Sequence, residues 1–161
     1  MAEIESKLAA MGLTLPASIK LPAGIKLSFP WVRIYGDRAI VSGHGALAAD
    51  GALARPLGKV GEGLSMEQGY QSARLTALAI LASLKAELGD LDRVVAWLRV
   101  FGMVNAGNGF NQYPLVINGF TDLILELYGP ERGSHARSAI GVAGLPFDLP
   151  VEIEAEVVIH R

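Results

Sequence analysis

Residues 135–161 read HARSAIGVAGLPFDLPVEIEAEVVIHR and predict two strands with a short connection between them. Apolar and polar residues alternate strictly in Val151–Ile159, as in a strand that has one face in a core. The run Ala136–Val142 has the composition of an apolar central strand, except for Arg137. Leu-Pro pairs at residues 145–146 and 149–150 mark the connection. The alternation puts Val151, Ile153, Ala155, Val157 and Ile159 on one face, and Glu152, Glu154, Glu156 and His160 on the other.

Upstream of this stretch, the periodicity of apolar residues and the positions of glycine and proline predict the other elements. Ser65 and Gln68 form the pattern of a capping box, and Gly89 is suited to end the helix that follows them. In chain order the predictions are a helix over 3–11, a hairpin of Trp31–Tyr35 and Arg38–Ser42, a loop over 43–63 reaching away from the hairpin, a helix from Ser65 to Gly89, a buried strand over Asp92–Gly102, a loop over 102–111 and a helix over 114–128.

This order of elements predicts a single α+β domain over residues 1–161, in which residues 1–30 form an N-terminal helix and an extended arm. The expected architecture is a mixed β-sheet with two main helices on one face. The other face of that sheet stays uncovered in a monomer. Charged residues make up 19% of the chain, below the roughly 25% of typical domains. We therefore expect the uncovered face to be a subunit interface.

Composition also excludes several classes of function. The formal net charge is -2, with 14 basic residues scattered among 16 acidic ones, so nucleic acid is not an expected partner. The chain has no cysteine, which rules out disulfides, thiolate catalysis and cysteine-bound zinc. The histidines, His44, His135 and His160, share no metal-ligand spacing, so no metal is expected. No signal peptide and no apolar run of ~20 residues is present, so we expect no membrane association and a cytoplasmic location.

Arg137 and Glu152 are the residues of this stretch whose chemistry needs an explanation. A buried guanidinium requires an anionic partner, because an unpaired buried charge costs several kcal/mol. One interpretation is an internal salt bridge between Arg137 and Glu152, or an arginine that reaches solvent at a strand end. The other is an arginine whose planar fork receives a substrate carboxylate through two hydrogen bonds. The pattern alone leaves both open.

Several motifs together resemble the reactive-intermediate deaminase family, also called RidA or YjgF-like. The most specific are VSGH (41–44), HARSAIGVAGLP (135–146) and VEIEAEVV (151–158). The rest of the chain is similar to the longer branch of this family, often labelled as endoribonucleases or translation inhibitors, through MGLTLP (11–16), GKVGEGLSMEQGYQSARLTAL (58–78), AELGDLDRVV (86–95) and NGFTDL (118–123).

The resemblance implies a chorismate-mutase-like subunit in a homotrimer, with the sheets packed inward as a barrel and a cleft between each pair of subunits. It further implies hydrolysis of reactive 2-imino and enamino acids to 2-keto acids and ammonia, without a metal or organic cofactor. By this resemblance Arg137 grips the substrate carboxylate and Glu152 positions the attacking water. Ser42, Gly43 and Asn118 correspond to other substrate-binding positions of the cleft.

This sequence departs from the family pattern at three positions. Phe29 stands in for the cleft tyrosine, or nearby Trp31 takes its role; Ala139 stands where a cysteine is common; and His44 stands where many members have glutamine. Two alternatives to the deaminase therefore remain. One is a non-catalytic protein that binds small carboxylates such as 2-keto acids through Arg137. The other is RNA cleavage or translation inhibition, which the family's older names suggest and the acidic composition disfavours.

Overall fold

The structure is a computed structural model that describes residues 2–160. Its helices and strands, in chain order, are α1 (Glu3–Ala10), β1 (Val32–Tyr35), β2 (Arg38–His44), α2 (Met66–Leu88), β3 (Val94–Asn105), α3 (Tyr113–Gly133), β4 (Ala136–Val142) and β5 (Val151–Ile159). Short 3₁₀ turns precede β3 at Leu91–Arg93 and β5 at Pro146–Asp148. No helix in this part of the chain is both long and apolar enough to cross a membrane.

The five strands form one mixed sheet in the order β1-β2-β5-β3-β4. Only the β3–β4 pair is parallel among the described strands, and α3 connects its two members. Helices α2 and α3 pack against each other and against the same face of the sheet. The predicted α+β class, with two main helices on one face of a mixed sheet, is therefore confirmed. The alternation in β5 is confirmed as well, since every second residue from Val151 to Ile159 is buried.

The core lies between the two long helices and the sheet. Trp97 of β3 is 1% exposed and makes edge-on contacts with Phe120 and Tyr128, with ring centroids 5.7 and 5.8 Å apart. Helix α2 begins with the predicted capping box: the Gln68 amide donates to Ser65 Oγ, and the Ser65 amide donates to Gln68 Oε1. It ends at Gly89, whose φ of 80° is the left-handed conformation that glycine adopts without strain.

The two loop predictions need correction. Strand β3 continues to Asn105, three residues beyond its predicted end at Gly102, so the first residues of the predicted loop over 102–111 belong to the strand. Gly102 is a packing residue within the strand: a Cβ there would lie 2.6 Å from the Ile117 side chain of α3. The segment 43–63 does not reach away from the hairpin. Strand β2 extends to His44, and the loop returns to the end of β3, where the Val60 amide donates to the Asn105 carbonyl at 2.8 Å.

Strand β4 is also placed differently from the prediction. Its apolar composition indicates a central strand, but it lies at the edge of the sheet and pairs only with β3 among the described strands. Helix α3 has the predicted start and break: Pro114 lies in its first turn, and Gly129 interrupts it with φ 73°. One further turn, up to Gly133, carries the chain from this break into β4.

Candidate functional site

Arg137 projects from β4 toward the helix-covered face of the sheet, where it meets the first turns of α3. It pairs in register with Val100, which is fully buried on that face. Its Nη1 donates to Asn118 Oδ1 at 2.8 Å and to Thr121 Oγ1 at 3.0 Å, and its Nη2 donates to the Pro114 carbonyl at 3.3 Å. Helix α3 therefore holds the guanidinium in one orientation.

The partners of Arg137 are all neutral. No carboxylate of residues 2–160 forms an ion pair with it, so the internal salt bridge with Glu152 does not occur in this part of the chain. Burial lowers the pKa of the guanidinium, and the charge of Asp122 opposes that effect. These three hydrogen bonds involve Nη1 and Nη2, and among the described residues the Nε–H makes none. A guanidinium has five N–H donors, so two are left beyond these bonds, and a carboxylate binds a guanidinium through two N–H donors.

Two small residues follow Arg137 on the same side of β4. Ala139 pairs with Gly102 and is half-buried, and Gly141 pairs with Val104. The Tyr113 ring lies across Gly141, in space that any side chain at this position would occupy. The surface beside the guanidinium is thus made of a methyl group and an aromatic ring.

Glu152 lies on the opposite face of the sheet, which the helices do not cover. It pairs in register with Met103, and its neighbours in β5, Val151 and Ile153, are buried on the helix side. Its carboxylate lies over Gly43: a Cβ added there would be 2.7 Å from Glu152 Oε2. Burial raises the pKa of the Glu152 carboxyl, and the like charge of Glu154 raises it further. A carboxyl with a raised pKa is better matched to proton transfer near neutral pH.

Ser42 and Gly43 lie where the pairing of β2 with β5 is irregular, between Val41 and His44. This bulge lets the backbone of Gly43 approach Glu152 while His44 returns to the buried side. Ser42 Oγ donates to the Pro30 carbonyl at 2.8 Å, and the Ser42 amide donates to the Trp31 carbonyl. The hydroxyl of Ser42 therefore fixes the segment that enters β1.

Phe29 belongs to the same segment. Phe29 is 50% exposed, and its ring makes an edge-on contact with Trp31 at a centroid distance of 5.8 Å. Half of the residue is therefore accessible to another molecule.

The structure divides the predicted site residues into two groups. Arg137, Asn118 and Ala139 come together where β4 meets α3, and Glu152, Gly43, Ser42 and Phe29 come together around the β2 bulge and the segment before β1. Within one chain the two groups lie on opposite faces of the sheet and are separated by β3. One chain does not bring Arg137 and Glu152 into the same cavity.

Thr121 and the Pro114 carbonyl are partners of Arg137 that the sequence motifs do not predict. Thr121 follows Asn118 by three residues, so both lie on the same side of α3. Once α3 and β4 are known to pack together, this spacing identifies the threonine. No sequence pattern predicts which backbone carbonyl accepts a hydrogen bond from a distant side chain.

One group of three carboxylates among residues 2–160 has the spacing of a metal site, formed by Glu5, Asp90 and Asp92. Its members have structural partners. Asp92 accepts the amides of Glu3 and Ile4 at the start of α1, at 2.6 and 3.0 Å, and Glu5 pairs with Lys85. The group contains none of the histidines and none of the predicted site residues.

Known proteins match almost all of this chain. The family described as "YjgF/chorismate mutase-like, putative endoribonuclease" matches residues 5–150, which include Arg137 and end just before Glu152. "Protein TCP17" of Trypanosoma cruzi is 36% identical over 143 residues, covering 89% of each chain. The crystal structure of Atu1372 from Agrobacterium tumefaciens is 36% identical with a TM-score of 0.85, over 98% of this chain and 92% of that one. A "putative endoribonuclease" from Shewanella oneidensis is 28% identical with a TM-score of 0.87, over 97% and 99%.

Proposed function

The chain belongs to the YjgF/chorismate mutase-like family, and on that premise we propose that it is a deaminase of 2-imino and enamino acids. The reaction adds water across the C=N bond and releases a 2-keto acid and ammonia. The observation that carries the proposal is the set of partners of Arg137: neutral groups hold the guanidinium, and two of its five N–H donors are left for a carboxylate. A 2-imino acid carries its carboxylate next to the reacting carbon.

We propose that the cleft forms between subunits of a homotrimer. One subunit supplies Arg137, Asn118 and Ala139, and its neighbour supplies Glu152, Gly43, Ser42 and Phe29. The separation of the two groups within one chain supports this arrangement, since a single subunit holds them on opposite faces of the sheet. The uncovered sheet face supports it as well, because Ile40 and Ile140 expose 49% and 40% of their surface there.

In this mechanism Arg137 fixes the carboxylate and draws electron density away from the imine carbon. The reaction starts from the protonated imine: Glu152 takes a proton from water as the water oxygen bonds to that carbon, which gives a neutral tetrahedral amino alcohol. Glu152 then returns this proton to the nitrogen, the C–N bond breaks to release ammonia, and the Glu152 carboxylate takes the hydroxyl proton as the carbonyl forms. General acid–base catalysis of this kind contributes typically about 10² to 10⁴-fold. The raised pKa of Glu152 favours both steps, acceptance and return of the proton.

The test is ammonia release from 2-iminopropanoate generated in situ. We expect the wild-type chain to accelerate it, Arg137→Ala to abolish the gain, and Arg137→Lys to recover only part of it, because lysine keeps the charge and loses the fork. Arg33→Ala is the matched control, since Arg33 is exposed on β1 and outside both groups. A folded wild-type protein that accelerates no small 2-imino acid would contradict the proposal.

Binding without catalysis is a second candidate, favoured by one observation. One chain provides Arg137 together with its partners on α3, whereas Glu152 lies on the other face of the sheet. A binder of 2-keto acids predicts that Glu152→Gln keeps the affinity for 2-ketobutyrate and that the wild-type protein shows no turnover. A deaminase predicts wild-type turnover that Glu152→Gln loses. Calorimetry and the ammonia assay on the same two proteins distinguish them.

RNA cleavage is a third candidate, because the similar protein from Shewanella oneidensis is described as a "putative endoribonuclease". The charge balance of the chain, 14 basic against 16 acidic residues, argues against it. RNA degradation that copurifies with the protein and persists in Arg137→Ala would favour this function over the deaminase.

A further inference from the structure

A cavity of about 260 Å³ lies on the helix side of β2, between the arm at residues 16–19, the start of β1 and the middle of α2. It shares none of the seven residues proposed for the imine cleft. Trp31, His44, Ala82, Ser83 and Glu87 are among its lining residues. Its size is below the 300–1,000 Å³ typical of drug-sized ligands, which fits a smaller molecule.

The buried polar end of the cavity is formed by His44 and Ser83. His44 is 6% exposed; its Nδ1 lies 2.6 Å from the Ser42 carbonyl and its Nε2 lies 2.8 Å from Ser83 Oγ. A carbonyl oxygen only accepts, so Nδ1 carries the proton. Burial lowers the pKa of His44, against the opposing effect of the bond to Ser42, so the neutral ring is favoured and Nε2 is an acceptor.

The hydroxyl proton of Ser83 is therefore donated to His44. What Ser83 Oγ presents to the cavity is its lone pairs, which accept hydrogen bonds. A ligand must supply a donor at this point. A carboxylate or a ketone oxygen would find no partner there.

The charge of the lining favours a ligand whose hydrogen-bond donor is positively charged. Glu87 is the one charged side chain among the described residues that line the cavity. It follows Ser83 by four residues on α2, so the two acceptors lie one turn apart on the same side of the helix. The indole of Trp31, 4.8 Å from the His44 ring, adds an aromatic surface that attracts cations. Apart from Ser18 and Gly45, the remaining lining is apolar, with Ala79, Ala82 and Ala86 along α2.

From these features we propose that the cavity binds a small primary amine with an apolar chain or ring. Its ammonium group lies between Ser83 Oγ and the Glu87 carboxylate, and its apolar part packs against the alanines of α2 and the arm. None of the seven proposed imine-cleft residues lines this cavity, although Phe29 and Ser42 contact Trp31 at its edge. The proposal does not depend on deaminase activity.

The experiment titrates the full-length protein with n-hexylamine and follows the two tryptophan indole signals by ¹H–¹⁵N NMR. We expect the Trp31 signal to shift and the signal of Trp97, which is 1% exposed in the core, to stay. Hexanoate of equal chain length is expected to shift neither, because it offers no donor and meets Glu87. The amine has seven heavy atoms, for which a dissociation constant of about 1 mM is reasonable.

Two variants make the test specific. Glu87→Gln removes the charge and is expected to weaken hexylamine binding roughly tenfold, and Ala82→Leu fills the cavity and is expected to abolish it. Glu67→Gln, an exposed carboxylate near the start of the same helix, is the matched control and is expected to bind like wild type. The proposal is overturned if hexylamine leaves Trp31 unshifted up to about 10 mM, if hexanoate binds equally well, or if Glu87→Gln binds as tightly as wild type.

Discussion

At the scale of single residues, the state of Arg137 follows from the kind of groups that surround it. An amide oxygen, a hydroxyl and a backbone carbonyl orient the guanidinium without neutralising it. A carboxylate in their place would have used the same donors and cancelled the charge, leaving nothing for a ligand. The half-buried position strengthens the attraction for an incoming anion, because solvent screens it less. These features are the ones that the proposed carboxylate-binding role of Arg137 requires.

Gly43 controls the position of the Glu152 carboxylate. In Gly43→Ala the new Cβ would lie 2.7 Å from Glu152 Oε2, so the side chain of Glu152 has to move. The glutamate is flexible and half-exposed, so we expect a melting temperature close to wild type and a deaminase rate reduced roughly 100-fold, as for a displacement of about 1 Å. Gly63→Ala, where a Cβ meets no atom within 4 Å, is the control. A variant with full activity would show that the Glu152 carboxylate needs no fixed position.

If Glu152 is the base of the proposed reaction, Glu154 contributes to the pH at which it acts. Burial and the Glu154 charge both raise the pKa of Glu152, so the rate falls as the pH drops through that raised value and the carboxylate is protonated. Glu154→Gln removes one of the two causes. We expect the acidic limb of kcat/KM to move to lower pH, while Glu131→Gln, exposed in the last turn of α3, leaves it in place. An unchanged limb would mean that another group titrates.

At the scale of elements, the architecture depends on places where backbone approaches backbone. The crossing of α2 and α3 is one of them, because a Cβ at Gly119 of α3 would overlap the Tyr70 carbonyl of α2. Gly102 of β3 gives α3 a similar approach to the sheet. These contacts hold the first turns of α3 against β4, and with them the partners of Arg137. The contacts that hold the fold together therefore also position the side chains around Arg137.

Gly119→Ala tests this crossing. The Tyr70 backbone cannot move aside without shifting α2, so we expect the free energy of unfolding to fall by about 1–3 kcal/mol, the usual cost of overpacking. Gly69→Ala is the comparison, because its Cβ would meet only valine methyl groups at 3.1 Å. Urea denaturation of both variants measures the difference. Equal stabilities would show that the helices separate more easily than the geometry indicates.

In the molecule as a whole, two parts of the sheet have no partner among the described residues: one face, and the outer edge of β4, the strand that carries Arg137. The helices protect one face only, and the other exposes isoleucine side chains beside the acidic residues of β5. A closed ring of subunits would cover that face and bring the β4 edge of one subunit toward the β2 bulge of the next. The proposed cleft therefore requires the assembly.

Mixing two inactive variants tests this requirement. Arg137→Ala subunits keep Glu152, and Glu152→Gln subunits keep Arg137. If neighbouring subunits supply the two residues, unfolding and refolding an equal mixture makes about a quarter of the clefts intact by chance. We expect about a quarter of wild-type ammonia release from the mixture and none from either variant refolded alone. Absence of recovery in a properly refolded mixture would contradict a cleft to which neighbouring subunits each supply one of the two residues.

Features that depend only on neighbouring residues could be predicted from the sequence. The face of Glu152 followed from alternation in β5, and the start and end of α2 followed from its capping box and Gly89, because these features are set by neighbouring residues. Tertiary structure decided what depends on contacts between distant segments. The neutral partners of Arg137 on α3 and the His44–Ser83 pair, 39 residues apart, arise where α2 and α3 pack on the sheet. The edge position of β4 and the fit of Glu152 over Gly43 arise from the pairing of strands that are distant in the sequence. No local pattern encodes these contacts, since they exist only once the separate elements have packed.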